Sequence, residues 1–177
     1  MITFQKIKWK NFLSTGDHWS EIDFQGHTTN LVVGTNGSGK STMLDALTFA
    51  LFNKPFRKIN KSQLVNATNE KDCVVEVEFS VNSKDYLVRR SIKPNKFDIE
   101  VNGTLMHKES DDRLNQKILE ENILKVNYKS FTQIVILGSS SFVPFMQLST
   151  SNRRDVIEDL LDIRIFSAMN NLIKEKI

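Results

Sequence analysis

Apolar and polar positions alternate over residues 3–12. Gln5, Ile7 and Trp9 fall on one side of an extended chain, and Phe4, Lys6, Lys8 and Lys10 on the other. A period of two predicts an antiparallel strand with one mostly apolar face. A second short strand is predicted over 19–24, after a turn at 14–17, and the run TTNLVV (28–33) predicts a strand buried on both faces. The period then changes. Leu44, Leu47, Leu51 and Phe52 mark one stripe of a helix over 41–52, stopped by Asn53 and Pro55.

Between residues 71 and 108 the pattern is strand throughout. CVVEVEFSV and YLVRRSI alternate, and FDIEV and TLMH flank Asn102-Gly103, a strong hairpin signal. The prediction is an antiparallel meander with Glu76 and Glu78 on its wet face. A helix over 111–123 precedes FTQIVIL (131–137), which is apolar enough for a second buried strand. From Arg153 to the end, Ile157, Leu161, Ile165, Met169 and Leu172 recur at helical spacing, widened by Leu160, Ile163 and Phe166. No glycine or proline interrupts that stripe, so one helix is predicted from 153 to 177 with its stop signal still to come.

Composition narrows the class. The 177 residues are 40% hydrophobic and 25% charged, which excludes disorder, collagen and a disulfide scaffold. A single cysteine, Cys73, has no internal partner and points to the reducing cytoplasm. No run of 18 apolar residues is present, so no membrane is expected. A net charge of +3 does not by itself announce a nucleic-acid binder. His18, His27 and His107 have no ligand-like neighbours at metal spacing and are expected at the surface.

Glycine is the informative residue. There are only seven, and three of them (Gly34, Gly37, Gly39) lie within GTNGSGKS, residues 34–41. That segment matches GxxxxGK(S/T) at every fixed position, between a predicted strand and a predicted helix. The chemistry asks for these residue types. Gly34, Asn36, Gly37, Ser38 and Gly39 let backbone N–H groups curl around phosphate oxygens, and the helix opening at Ser41 and Thr42 adds its positive dipole end. Lys40 supplies a point charge to the β and γ phosphates, and Ser41 a hydroxyl to Mg2+. Hydrolysis also needs a metal-holding acid at the end of a buried strand. VVEVEF alternates, and FTQIVIL ends in Gly138 and Ser139, so the chain carries half of an ATPase site.

KNFLS, IDF, LVVGTNGSGKSTMLDALTFALF, KPFR and FTQIVILGSSSFVPFMQLSTSNRRDVIEDLLDI together resemble the N-terminal ATPase lobe of the SMC-like DNA-repair ATPases. Within that family the likeness is to the SbcC/Rad-fifty-type subunits, including those of recombination endonucleases encoded by T-even-like phages. The resemblance implies an α/β, P-loop, ABC/SMC-type head. Residues 1–152 would be its N-terminal lobe, with a mixed sheet and the antiparallel meander at 71–108, and residues 153–177 the root of a coiled-coil helix. It implies further that a C-terminal lobe, on the same or a separate chain, supplies the signature Ser, the metal-binding Asp and the catalytic Glu. Two heads would sandwich two ATP molecules, with Mg2+, and gate a Mre-type nuclease on DNA ends. A phage-encoded member would work in the host cytoplasm.

Two departures qualify the resemblance. Ser139 stands where relatives carry a glutamine that contacts Mg2+, with Gln133, inside the strand, as the other candidate. Leu13 stands where many relatives carry an arginine near the nucleotide. Contacts there would come instead from Arg57 of KPFR or from the backbone near Asn66 and Ala67. Arg89, Arg90, Lys93, Lys96 and Lys108 gather on the meander, either to track DNA phosphates or as a solvated face. Lys6, Lys8 and Lys10 read as guards of an edge strand or, less simply, as DNA contacts. Two rival functions remain: a free-standing P-loop kinase or GTPase, and a nucleotide-dependent assembly lobe without hydrolysis.

Overall fold

The computed structural model describes residues 2–27, 29–106, 112–136, 145–161 and 163–174. They fall into two compact units, Met1–Ile118 and Leu119–Ile177. The first begins with β1 (Ile2–Lys10) and β2 (Ser20–Asp23), followed by helix α1 (Lys40–Phe52) and a short 3-10 turn, Lys61–Leu64. It continues through β3 (Cys73–Val81), β4 (Lys84–Ile92), β5 (Lys96–Val101) and β6 (Thr104–Leu105) to α2 (Asp112–Ile118).

The six strands form one sheet in the order β2-β1-β3-β4-β5-β6, with every pairing antiparallel. The meander follows its turn chemistry. Asn82-Ser83 and Asn102-Gly103 hold φ of 48°, 66°, 50° and 76°, the paired positive values that match a two-residue turn to strand twist. Ile7, Trp9, Val75, Val77, Phe79 and Val88 are buried on the core face. Phe4, Phe79 and Tyr86 form an aromatic row across it, with centroids 6.0 and 5.4 Å apart. Helix α1 packs on this sheet against β3 and β4, burying Ala46, Phe49 and Ala50. Its end is sharp because Asn53 adopts φ 57° and returns its N–H to Phe49 O at 2.9 Å.

The face opposite the core is less wet than its sequence implies. Glu76, expected in solvent, is only 4% exposed. Lys8 (2.8 Å) and Arg89 (2.6 Å), its direct cross-strand partners in register, cover its carboxylate, and Arg89 also reaches Glu100. Lys6 pairs with Glu21 and Lys10 with Asp17, while Lys8 and Lys10 flank the Trp19 ring. The lysines therefore guard no edge: β1 lies between β2 and β3.

Three expected elements differ. Residues 29–33 form no strand, and Leu31 and Val33 are 87% and 81% exposed. A run apolar on both faces gains from a sheet only when strands flank it, and each described strand pairs elsewhere. FTQIVIL also forms no strand. In the second unit, after a π-helical turn at Leu119–Leu124, α3 (Tyr128–Ile134) takes most of it. Asn127 caps this helix by accepting from Ser130 N at 2.9 Å, and the N–H groups of Phe131 and Val135 bond four residues back. Local hydrogen bonds satisfy backbone that has no neighbouring strand. The single helix predicted for 153–177 is two, α4 (Thr150–Leu160) and α5 (Arg164–Lys174). Ile163 N–H returns to Glu158 O at 3.0 Å, the six-to-one bond of a Schellman closure, here without glycine. On α5, Ile165, Phe166, Met169, Leu172 and Ile173 are all more than half exposed.

Candidate nucleotide site

The phosphate loop and the start of α1 are one piece of geometry. Gly37 and Gly39 hold φ of 86° and 91°, a region side chains with a Cβ rarely enter. At Gly34 a Cβ would lie 2.5 Å from Ser38 Oγ, so the serine hydroxyl would have to turn away. Lys40 Nζ donates to the carbonyls of Gly34 (2.6 Å) and Thr35 (2.8 Å) and so closes the loop on itself. Gly39 is the N-cap of α1. No side chain caps it and no acid occupies the first turn, so the positive end of a thirteen-residue helix stays open to an anion.

In front of that helix end lies a cavity of about 790 Å³, within the range of small-molecule sites. Asn36, Gly37, Gly39, Lys40, Ser41 and Thr42 line one side, Thr42 being largely buried while Ser41 is exposed. Gly34 and Ser38 support the loop from outside the lining. The rest of the wall is built from sequence-distant pieces, namely Leu13 and Ser14, Arg57 and Ile59, and Gln63 with residues 65–68. Arg57, Asn66 and Ala67 line the cavity, and so does Leu13, the position that holds an arginine in many relatives. Ser14, Ile59, Gln63, Val65 and Thr68 join them with no signal of their own in the sequence.

Asn66 holds that wall together. Its Nδ2 donates to Leu13 O (3.2 Å) and Thr15 O (3.1 Å), and its Oδ1 accepts from Thr68 N (2.9 Å) and Asn69 N (3.0 Å). Asn11, 1% exposed, joins the same loops through Asp17, Asp72 O and Asn69. With its amide fully used, its N–H given to Asn11 O and its carbonyl accepting from Glu70 N, Asn66 is a scaffold of the wall. The Lys10 ammonium, by hydrogen bond and by charge, holds the Asp17 carboxyl below the usual carboxylate range. Cys73 is sealed beneath, and burial pushes its thiol up to about 12, so it is inert.

No Asp or Glu lines the cavity among the described residues, nor does any acidic or His/Cys cluster there suit a metal. The donors present, backbone N–H groups with Lys40 and the Ser41 hydroxyl, fit a nucleotide polyphosphate with its Mg2+. Ser139 and Lys108 lie outside the described residues. Gln133 is within α3, with its Oε1 buried and unbonded.

The basic residues of the meander do not act as one face. Arg89 and Arg90 are neighbours on a strand and point to opposite sides of the sheet. Arg89 serves Glu76, a hydrogen bond that pushes the Arg89 pKa up. Arg90 is 5% exposed, lies over the Phe97 ring at 3.7 Å, and donates to Ala50 O (3.0 Å) and Gln116 Oε1 (2.6 Å). It thus places a cation at the carbonyl end of α1, where the helix dipole favours one. Lys93 and Lys96 are exposed in and beside the β4–β5 turn.

An AAA domain model matches residues 6–177. The chain is 42% identical over 96% of its length to "Exonuclease subunit 2" of Enterobacteria phage T4, and 32% identical over 97% to the "DNA double-strand break repair Rad50 ATPase" of Methanococcus maripaludis. It spans 30% and 17% of those relatives' own lengths. Its fold matches an Smc head domain with an extended coiled coil from Pyrococcus furiosus at a TM-score of 0.71, covering 99% of this chain and 46% of that one at 23% identity. With an open phosphate loop at the cavity, the fold of an Smc head domain and a family model spanning nearly every residue, the chain belongs to the AAA domain family.

Proposed function

We propose that this chain is the ATP-binding N-terminal lobe of an ABC/SMC-type ATPase that powers the processing of DNA double-strand ends together with a nuclease subunit. The observation that carries the reading is the cavity at the uncapped N-terminus of α1, lined by Lys40, Ser41 and Arg57. The loop's N–H groups and Lys40 would bind the β and γ phosphates, and Ser41 would hold Mg2+. Arg57 would add a second cation, and Leu13, Ile59 and Val65 an apolar surface for the base. When bound, the metal neutralises phosphate charge as the terminal bond is cleaved.

The absence of an acid from the lining among the described residues favours a half-site completed by another lobe over a free-standing kinase or GTPase. The exposed Leu31, Val32 and Val33 fit the same picture, as a strand awaiting neighbours from a C-terminal lobe. So does the apolar face of α5, as the root of a coiled coil or a seat for the nuclease. Two heads would enclose two ATP molecules, Ser139 would approach the metal, and Lys93, Lys96 and Lys108 would meet DNA phosphates. The relatives' names, an exonuclease subunit and a double-strand-break repair ATPase, support the DNA assignment. No helix among the described residues is long and apolar enough to cross a membrane, in keeping with work in a host cytoplasm.

Binding of a fluorescent ATP analogue with Mg2+ tests the reading. The chain should bind it, Lys40→Ala should weaken binding at least about tenfold with its melting temperature kept, and turnover by the chain alone should be negligible. Unchanged affinity in Lys40→Ala would remove the loop from its role, and robust turnover would sink the half-site.

A further inference from the structure

The lining of the cavity includes one cation whose position is set from behind. Asp45 lies in α1 one turn below Ser41, about 6 Å along the axis and close to the same face. It is 0% exposed, and both of its carboxylate oxygens are committed to a single residue. Oδ1 accepts the Arg57 backbone N–H at 2.8 Å, and Oδ2 accepts Arg57 Nε–H at 2.6 Å, with Nη2 alongside. Arg57 is twelve residues away and belongs to no helix or strand. Its side chain is 41% exposed and the residue lines the cavity, whereas Asp45 does not. The buried carboxylate thus stands behind the partly exposed cation.

We propose that Asp45 is a positioning residue that presents Arg57 to the phosphates of the bound nucleotide. The proposal rests on the cavity being the nucleotide site and deepens that reading. A guanidinium carries five N–H groups, and its Nε/Nη2 edge is turned to one oxygen, Asp45 Oδ2. The Nη1 edge is left to meet an anion. An arginine on an irregular segment would otherwise lose side-chain entropy on binding. Here the folded protein has already met that cost. The arrangement is also self-enforcing, because swinging Arg57 out would leave a charged carboxylate alone in the interior. A purely structural tie between α1 and the following segment would need only the backbone bond to Oδ1.

Affinity for the Mg2+ complex of a fluorescent ATP analogue, measured beside melting temperature, tests this in Asp45→Asn, Arg57→Ala and the double variant. Each single variant should weaken binding about tenfold. The double variant should be no weaker than Arg57→Ala, because Asp45 acts only through that side chain. A hundredfold additive loss, or an Asp45→Asn variant that melts lower but binds as the parent does, would overturn the proposal. Should Asp45→Asn fail to fold, Arg57→Lys carries the test. It keeps the charge beside Asp45 but not the planar fork, so a tenfold loss supports the positioning role and parental affinity defeats it. A parent chain that binds no nucleotide, or a Lys40→Ala variant that binds normally, would instead refute the reading of the site itself.

Discussion

Cys73–Val81 and residues 29–33 are both apolar runs whose pattern predicts a strand, and only the first is one. The difference lies in what each run requires. In β3, Cys73, Val75, Val77 and Phe79 occupy one face and are all 0% exposed, while the other face carries charges that its cross-strand partners neutralise. β4, joined to it by a two-residue turn, and β1, from the start of the chain, supply both neighbours. Residues 31–33 are apolar on consecutive positions, so they need cover on two faces, and the described residues supply neither cover nor pairing. An alternating strand needs neighbours and cover on one face only, which this unit supplies, whereas a continuously apolar one needs cover on both.

The sharpest way to break this comparison is to truncate one residue of each run and measure denaturant unfolding. Phe79→Ala should cost about 3–5 kcal/mol, since it empties a sealed site and removes the middle of an aromatic row. Leu31→Ala should stay within about 0.5 kcal/mol, because that side chain already stands in water. Comparable losses would show that residues 29–33 are packed after all.

Arg89 and Arg90 refine the same point inside a single strand. Arg90→Met leaves Ala50 O and Gln116 without their buried donor and is expected to cost about 3 kcal/mol. Arg89→Met removes a half-exposed partner while Lys8 still covers Glu76, and should cost no more than about 1 kcal/mol. Equal costs would mean that the two faces of β4 are not distinct.

The smallest effect concerns pH. Lys10 lowers the folded-state pKa of Asp17, so the carboxylate's stabilisation is present above the unfolded value of about 3.9 and is lost as pH falls through the lowered one. The melting temperature of Asp17→Asn should therefore lie slightly below the parent's near neutrality, with the gap closing between roughly pH 5 and pH 2. A gap unchanged at pH 2 would assign the effect to something other than the charge.

Legibility followed the range of the interactions. The phosphate loop, α1, the hairpin at Asn102-Gly103 and the strands of the meander depend on neighbours a few residues away, and their patterns predict them closely. FTQIVIL was misread because a short apolar run looks alike in a buried strand and in a helix, and the Asn127 cap that decides the matter lies outside it. The helix break after Leu161 escaped notice because its closure uses no glycine. The rest of the cavity wall draws on Leu13, Arg57 and Val65, which nothing in their local sequence joins, and the hydrogen bonds of Asn66 that assemble it exist only in the fold. Nothing in the local sequence joins Asp45 to Arg57, and their pairing exists only in the fold.

By itself, then, the sequence determined where a phosphate could approach bare backbone, because glycine spacing, lysine and helix start are encoded within eight consecutive residues. It also determined which strands could form from alternation and turn chemistry. Tertiary structure alone decided which charges are available: Arg89 and Arg90, adjacent in the chain, were sent to opposite faces, Glu76 was covered, and Arg57 was set on a buried Asp45. The physical reason is that a charge becomes free, paired or positioned according to its desolvation and its partners, and in this fold those partners arrive from strands and loops distant in the chain.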